Sequence, residues 1–147
     1  MYDIFVAELT CPNCGAVVAK AEIKTHIRDG LADGSELGVG YEFDPVELTT
    51  EWILAAGYLL VNAPGAGEPI RLLDVWICPS CETEQWAVVE IADRRIRSIE
   101  AVKLDRATLE SANFISEVDA DLLADALRGE QPARGEGGVD VLRQRLP

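Results

Sequence analysis

The four cysteines of the chain stand in two matching turns, CPNCG at Cys11–Gly15 and CPSCE at Cys78–Glu82. A Cys-x-x-Cys turn brings two sulfurs to one side of a tight bend, where both can point at one ion. Proline after the first cysteine stiffens the turn. Glycine after the second, as at Gly15, lets the backbone fold back. Two such turns supply four sulfurs for a tetrahedron, which suits zinc and leaves no open coordination position. Cys11, Cys14, Cys78 and Cys81 are therefore the candidate metal ligands, with structural Zn²⁺ the expected cofactor. An iron centre, a redox-active dithiol and disulfides draw on the same residues. The start MYDIFVAEL carries Asp3 and Glu8 and no basic region, so it does not read as a signal peptide. That makes a cytoplasmic address the expectation, where thiols stay reduced and paired Cys-x-x-Cys turns point to metal.

Little else in the sequence suggests chemistry. His26, the only histidine, falls on the polar face of a strand pattern and reads as a surface residue. With one histidine and every cysteine committed to metal, no nucleophile–base pair is available. Phosphate-loop and dinucleotide motifs are missing, and the glycine-rich GSELGVG and GAGEP lack their lysine and strand–helix context. The expectation is a protein that is not an enzyme. From Asp29 to Glu51 run seven carboxylates and no Lys or Arg. DGLADGSE does not complete a calcium loop. The acidic stretch reads as a solvated loop or a contact for a basic partner, with Glu42, Asp44, Glu47 and Glu51 as candidate contacts.

The elements that must position these residues follow from periodicity. Ile4–Leu9 reads as a strand entering the first turn. Ala16–Arg28 alternates, with Val17, Ala19, Ala21, Ile23, Thr25 and Ile27 on one face and Val18, Lys20, Glu22, Lys24, His26 and Arg28 on the other. This is a half-buried antiparallel strand. Asp29–Gly40 reads as a loop. DPVE at Asp44–Glu47 has the form of a capping box with Pro45 in the first helical position, and Thr50 is a second candidate cap. Either start gives a helix through Trp52–Ala56, ended by Gly57. YLLVN, IRLLDVWI, EQWAVVEI and IRSIEAVKL read as strands, with ADRR a turn. Beyond Leu104 the composition is helical, with an apolar stripe through Leu109, Phe114 or Ile115, Val118, Leu122 and Leu123. Asp119 is a candidate cap for a second helix and Gly129 its end. Trp76 and Trp86 flank the second turn and are placed to shield its sulfurs. Arg94, Arg95 and Arg97 form a basic cluster expected to pair with the chain's own acids.

The domain reading is one unit over residues 1–128, with an insert at about 29–57. A linker and tail follow over 129–147. GEQPARGEGG is linker-like. VDVLRQRLP then reads either as a frayed terminus or as a tethered docking segment, through Val139, Val141, Leu142 and Leu146.

The two knuckles, each with a strand on either side, resemble the zinc-ribbon superfamily in the broad rubredoxin-like group. The resemblance covers the knuckles and their hairpins, about a third of the chain. It implies ligation by Cys11, Cys14, Cys78 and Cys81. Sixty-four positions separate Cys14 from Cys78, longer than in usual ribbons, and Glu82 stands where rubredoxins usually have glycine. The expected fold is α+β: an antiparallel zinc-ribbon-like sheet, an inserted acidic loop and helix, and C-terminal helices. With 26 Asp and Glu against 13 Lys and Arg, the formal charge is −13. That disfavours nucleic acid and anionic lipid as partners. No apolar run has transmembrane length. The expected function is a non-catalytic, zinc-stabilised protein-binding or adaptor module. The alternatives are an acidic inhibitor or immunity-type protein that blocks a basic site, and a rubredoxin-like iron electron carrier.

Overall fold

A computed structural model describes residues 2–28, 30–128 and 137–147. Asp29, the expected helix end at Gly129 and most of the expected linker lie outside the described residues.

The fold is α+β, but the two knuckled hairpins lie in separate sheets rather than one. The first sheet holds β1 (Asp3–Thr10), β2 (Val17–Thr25) and β3 (Glu36–Leu37), in the order β2-β1-β3. The second holds β4 (Tyr58–Leu60), β5 (Ile70–Ile77), β6 (Glu84–Ala92), β7 (Arg95–Val102) and β8 (Phe114–Ser116), in the order β4-β8-β5-β6-β7. Phe5, Ile23 and Leu37 of the first sheet meet Leu72, Val89 and Ile96 of the second in one core. The opposite face of the second sheet is also buried. There Leu73, Val88 and Ile115 pack against helices α2 (Arg106–Ser111), α3 (Glu117–Arg128) and α4 (Gly138–Arg145). The order of layers is thus sheet, sheet, helices. Neighbouring residues such as Leu72 and Leu73 serve opposite cores because side chains alternate across a strand.

Four local expectations change. The inward face of β2 runs through Ala21, Ile23 and Thr25, yet Val17 is exposed and Val18 packs on the core. The ladder pairs Ala7 with Ala21 but Leu9 with Val18. One extra residue therefore bulges out of β2, and a one-residue slip exchanges the faces. Glu36–Leu37, read as loop, pairs parallel with β1. DPVE is a capping box, but it starts only a 3₁₀ turn at Pro45–Leu48; Thr49 caps helix α1 (Thr50–Ala55). The C-terminal helical stretch is interrupted by strand β8, which leaves Val118 and Leu122 exposed instead of on an apolar stripe.

The long connection between the hairpins closes one side of the two-sheet core. Gly40 N–H donates to Ile96 O at 2.7 Å, Ile96 N–H to Tyr41 O at 2.9 Å and Phe43 N–H to Arg94 O at 2.7 Å. Asp93 and Arg94 turn the chain between β6 and β7 with φ of 52° and 65°. A buried polar chain links the sheets within the core. Tyr58 O–H donates to Asp74 at 2.7 Å, and Thr25 Oγ1 lies 2.9 Å from the Tyr58 oxygen. Burial pushes the Asp74 carboxyl well above its usual range, while the Tyr58 hydrogen bond works in the opposite direction. Asp3, fully buried, takes Arg28 across two oxygens at 2.9 and 3.0 Å and accepts the backbone N–H of Asp33 and Ser35. Burial alone would raise the Asp3 carboxyl; those hydrogen bonds outweigh it and hold the group below its usual range. No helix among the described residues is long and apolar enough to cross a membrane.

Candidate metal centre

Each hairpin carries its knuckle at one tip, and the two tips meet. The knuckles share one backbone plan. In the first, Cys11 N–H donates to Ala16 O and Gly15 N–H to Cys11 O, both at 2.9 Å. In the second, Cys78 N–H donates to Thr83 O at 3.0 Å and Glu82 N–H to Cys78 O at 2.8 Å. The fifth residue of each is left-handed, with φ 77° at Gly15 and 55° at Glu82.

The four Sγ atoms of Cys11, Cys14, Cys78 and Cys81 all lie within 4.8 Å of one another. Two cross-knuckle pairs are closer: Cys11 to Cys81 at 3.8 Å and Cys14 to Cys78 at 3.7 Å. Sulfurs about 2.3 Å from a tetrahedral zinc are about 3.8 Å apart. The donor set and its spacing therefore fit a single metal ion. All four cysteines are free thiols here. Cys11 and Cys78, first in each knuckle, are buried; Cys14 is exposed and Cys81 half-buried.

The surroundings prepare the sulfurs unequally. Asn13 donates its backbone N–H to Cys11 Sγ at 3.4 Å and its side-chain amide to Cys81 Sγ at 3.5 Å. The Thr83 hydroxyl lies 3.0 Å from Cys81 Sγ. Gln85 donates to the Thr83 oxygen at 2.7 Å, leaving the hydroxyl proton for the sulfur. Thr83 first, then Asn13, hold the Cys81 thiol down to about 6. Cys14 goes the other way. The Ala16 amide lowers it, but partial desolvation and hydrogen bonds with the other three sulfurs together outweigh that and push it up to about 11. Thiols packed this closely cannot all ionise side by side without a cation to offset the charge. Asn13 and Thr83 were not singled out in the sequence. Their signal was position alone, inside and just after a knuckle.

Trp76 is buried in the same core as Cys11 and Cys78, and its indole N–H donates to Trp86 O at 3.2 Å. Trp86 packs toward the helical side instead. The expected symmetric placement about the sulfurs is therefore not found: the two rings belong to the two different cores. His26 is exposed, with its ring 6.1 Å from that of Tyr2.

The other candidate residues do not converge on the sulfurs or on one another. Glu42 is engaged by Arg94 at 2.8 Å and Arg95 at 3.4 Å. Asp44 accepts Val46 N–H, and Glu47 accepts Asp44 N–H from a buried position. Glu51 is exposed in the first turn of α1. In the tail, Val141, Leu142 and Leu146 are buried in the helical core and Val139 packs partly against it. Arg143 fixes the helix from outside, donating to Glu110 at 2.8 Å and to Val61 O at 2.7 Å.

No protein-family model matches the chain, and neither curated proteins nor solved structures give a match. The class defined by fold and site is an α+β protein whose two sheets meet at a four-cysteine centre able to hold a metal.

Proposed function

We propose that the chain is a non-catalytic, zinc-stabilised protein-binding module. The observation that carries this is the sulfur tetrad, whose four ligands complete a tetrahedron and leave no position for substrate or water. Cys11 and Cys14 would hold the ion from the first sheet and Cys78 and Cys81 from the second. A bound zinc clasps the two sheets; structural zinc contributes about 10–16 kcal/mol of apparent binding energy. The Asn13 and Thr83 hydrogen bonds place donors where thiolate charge gathers. An exchange-active or catalytic dithiol needs a sulfur free to react; with all four held on one ion, the exposed Cys14 and half-buried Cys81 are committed along with the buried Cys11 and Cys78.

The acidic-inhibitor alternative has less to draw on. Three of its four carboxylates are engaged within the chain, Glu42 and Asp44 at the surface and Glu47 in a buried cap, while Glu51 is exposed. Iron suits the same sulfur spacing, so the electron-carrier alternative turns on the metal itself.

Metal analysis of the chain purified from its native cell decides between them. The expected sample is colourless and holds one zinc per chain. A red, iron-loaded sample would establish the electron-carrier reading instead. A metal-free sample with an unchanged melting transition would remove the clasp altogether.

A further inference from the structure

The inner face of β5 breaks its own pattern. Leu72 and Trp76 belong to the core between the sheets, and alternation sets Asp74 between them on that face. Asp74 is 3% exposed, and its opposite number across the ladder is the fully buried Ala87.

The same core holds a second buried aspartate, and the two are supported very differently. Asp3 takes four N–H donors, two from the Arg28 guanidinium and two from the backbone of Asp33 and Ser35. That is the environment of an ionised carboxylate. Among the described residues the Asp74 side chain has one donor, the Tyr58 hydroxyl of β4 at 2.7 Å. No cation offsets it. From α3, Asp119 brings a further negative charge to bear on both Asp74 and Tyr58. From β2, Thr25 stands behind the Tyr58 oxygen, while Lys24 and His26 alternate to the exposed face. From β1, Asp3 lies opposite Thr25 in the ladder and holds Arg28 itself. β6 and β8 add Ala87 and Phe114 to this core, both apolar. A lone carboxylate in such a place is costly, and the neutral acid is the stable form.

The position matters because Thr25, Tyr58 and Asp74 cross from one sheet to the other. Gly40–Phe43 fastens the sheets by backbone hydrogen bonds at the β7 edge. Tyr58 stands on β4, the opposite terminal strand of the second sheet. We propose that Asp74 is a proton latch: as the neutral acid it keeps the two sheets closed at the β4 edge, and loss of its proton to solvent parts them there. Gly57 and Val75, the chain neighbours of Tyr58 and Asp74, line a groove between β2 and β5, so water has a short way in. Burial raises the folded Asp74 carboxyl and the Tyr58 hydrogen bond only partly offsets that. An unfolded aspartate titrates near about 3.9. The stability this group contributes is therefore full below that pH and is lost as pH rises through the folded midpoint, by up to about tenfold in the folding constant per pH unit.

Urea unfolding of the zinc-loaded full chain and of Asp74→Asn, between about pH 5 and about pH 8 at fixed excess zinc, tests this. Asn keeps the shape of the neutral acid and cannot ionise. Zinc and thiolate ionisation are common to both chains and drop out of their ratio. The folding constant of Asp74→Asn should rise relative to the unaltered chain by up to about tenfold per pH unit. A flat or falling ratio overturns the latch. The carboxyl carbon signal of Asp74 gives a second readout. It should remain that of the neutral acid where exposed carboxyls have ionised, with its midpoint moved up by Tyr58→Phe and down by Asp119→Asn. An ordinary aspartate midpoint overturns the proposal. Opening is read by amide exchange corrected for its intrinsic rate. Protection of the segments carrying Thr25 and Tyr58 should fall as the carboxyl ionises, and Asp74→Asn should hold it level. Protection unchanged through that ionisation overturns the latch as well. If Asp74→Asn does not fold, the carbon signal and protection of the unaltered chain decide.

Discussion

The two knuckles share a backbone plan and differ in what surrounds it. The first has a glycine at its left-handed position, and its second cysteine is exposed. The second has Glu82 at the same position and its second cysteine half-buried, with Thr83 and Gln85 behind the sulfur. Local chemistry therefore divides the work. The first knuckle is relaxed in its backbone, while the second carries backbone strain and the better-supported sulfur. What they share, a buried first cysteine set in the core between the sheets, is what ties the centre to the fold.

The largest effects should come from the cysteines, and they should be unequal. Cys78→Ser places a hydroxyl where the sulfur is fully buried, so it loses a ligand and also leaves a polar group inside the core. Cys14→Ser loses a ligand at the surface, where water can replace it. Cys78→Ser should abolish stoichiometric zinc binding and the cooperative melt. Cys14→Ser should bind zinc more weakly and still fold in excess zinc. Cobalt titration, read by thiolate absorption, with thermal melts of both variants measures this. Equal losses would mean that burial does not distinguish the knuckles.

The knuckles were legible in the sequence because spacing alone brings two sulfurs to one bend. The strands beside them were legible because a period of two is local. What was not legible depended on distant partners. β3 is two residues long and exists only because β1 offers an edge. The bulge in β2 left no composition signal, yet it exchanged the faces of Val17 and Val18. Phe114–Ser116 reads as helix by its neighbours, but Leu72, Leu73 and Tyr58–Leu60 give it strands to pair with. The carboxylates of the acidic stretch looked alike in sequence. Only contacts separate Glu42, held by two arginines, and Glu47, buried in a cap, from exposed Glu51.

A smaller effect sharpens the difference in sulfur support. Thr83→Val keeps the shape of the side chain and removes the hydroxyl beside Cys81. A hydrogen bond to a charged acceptor contributes about 1.5 kcal/mol, so zinc affinity should fall about tenfold. Asn13→Ala removes a longer contact of 3.5 Å from the first knuckle and should cost less. Competition against a zinc chelator of known affinity measures both. A larger loss for Asn13→Ala would make Asn13, rather than Thr83, the main support of the Cys81 sulfur.

The smallest effect tests the backbone contrast itself. An added Cβ at Gly15 would meet nothing within 4 Å, so Gly15→Ala probes φ alone. It should destabilise the zinc-loaded chain by about 1 kcal/mol, the lower end of the left-handed penalty. Glu82→Gly should act in the opposite direction. It relieves a left-handed penalty of about 1–2 kcal/mol and adds about 0.5–1 kcal/mol of unfolded-chain entropy. The net gain of up to about 1.5 kcal/mol corresponds to at most about 5 °C in the melting temperature of a chain this size. Thermal melts at fixed zinc concentration resolve shifts of that size. Opposite signs would place the strain at Glu82, whereas a fall in both variants would show that the Glu82 side chain contributes more to the second knuckle than its backbone costs.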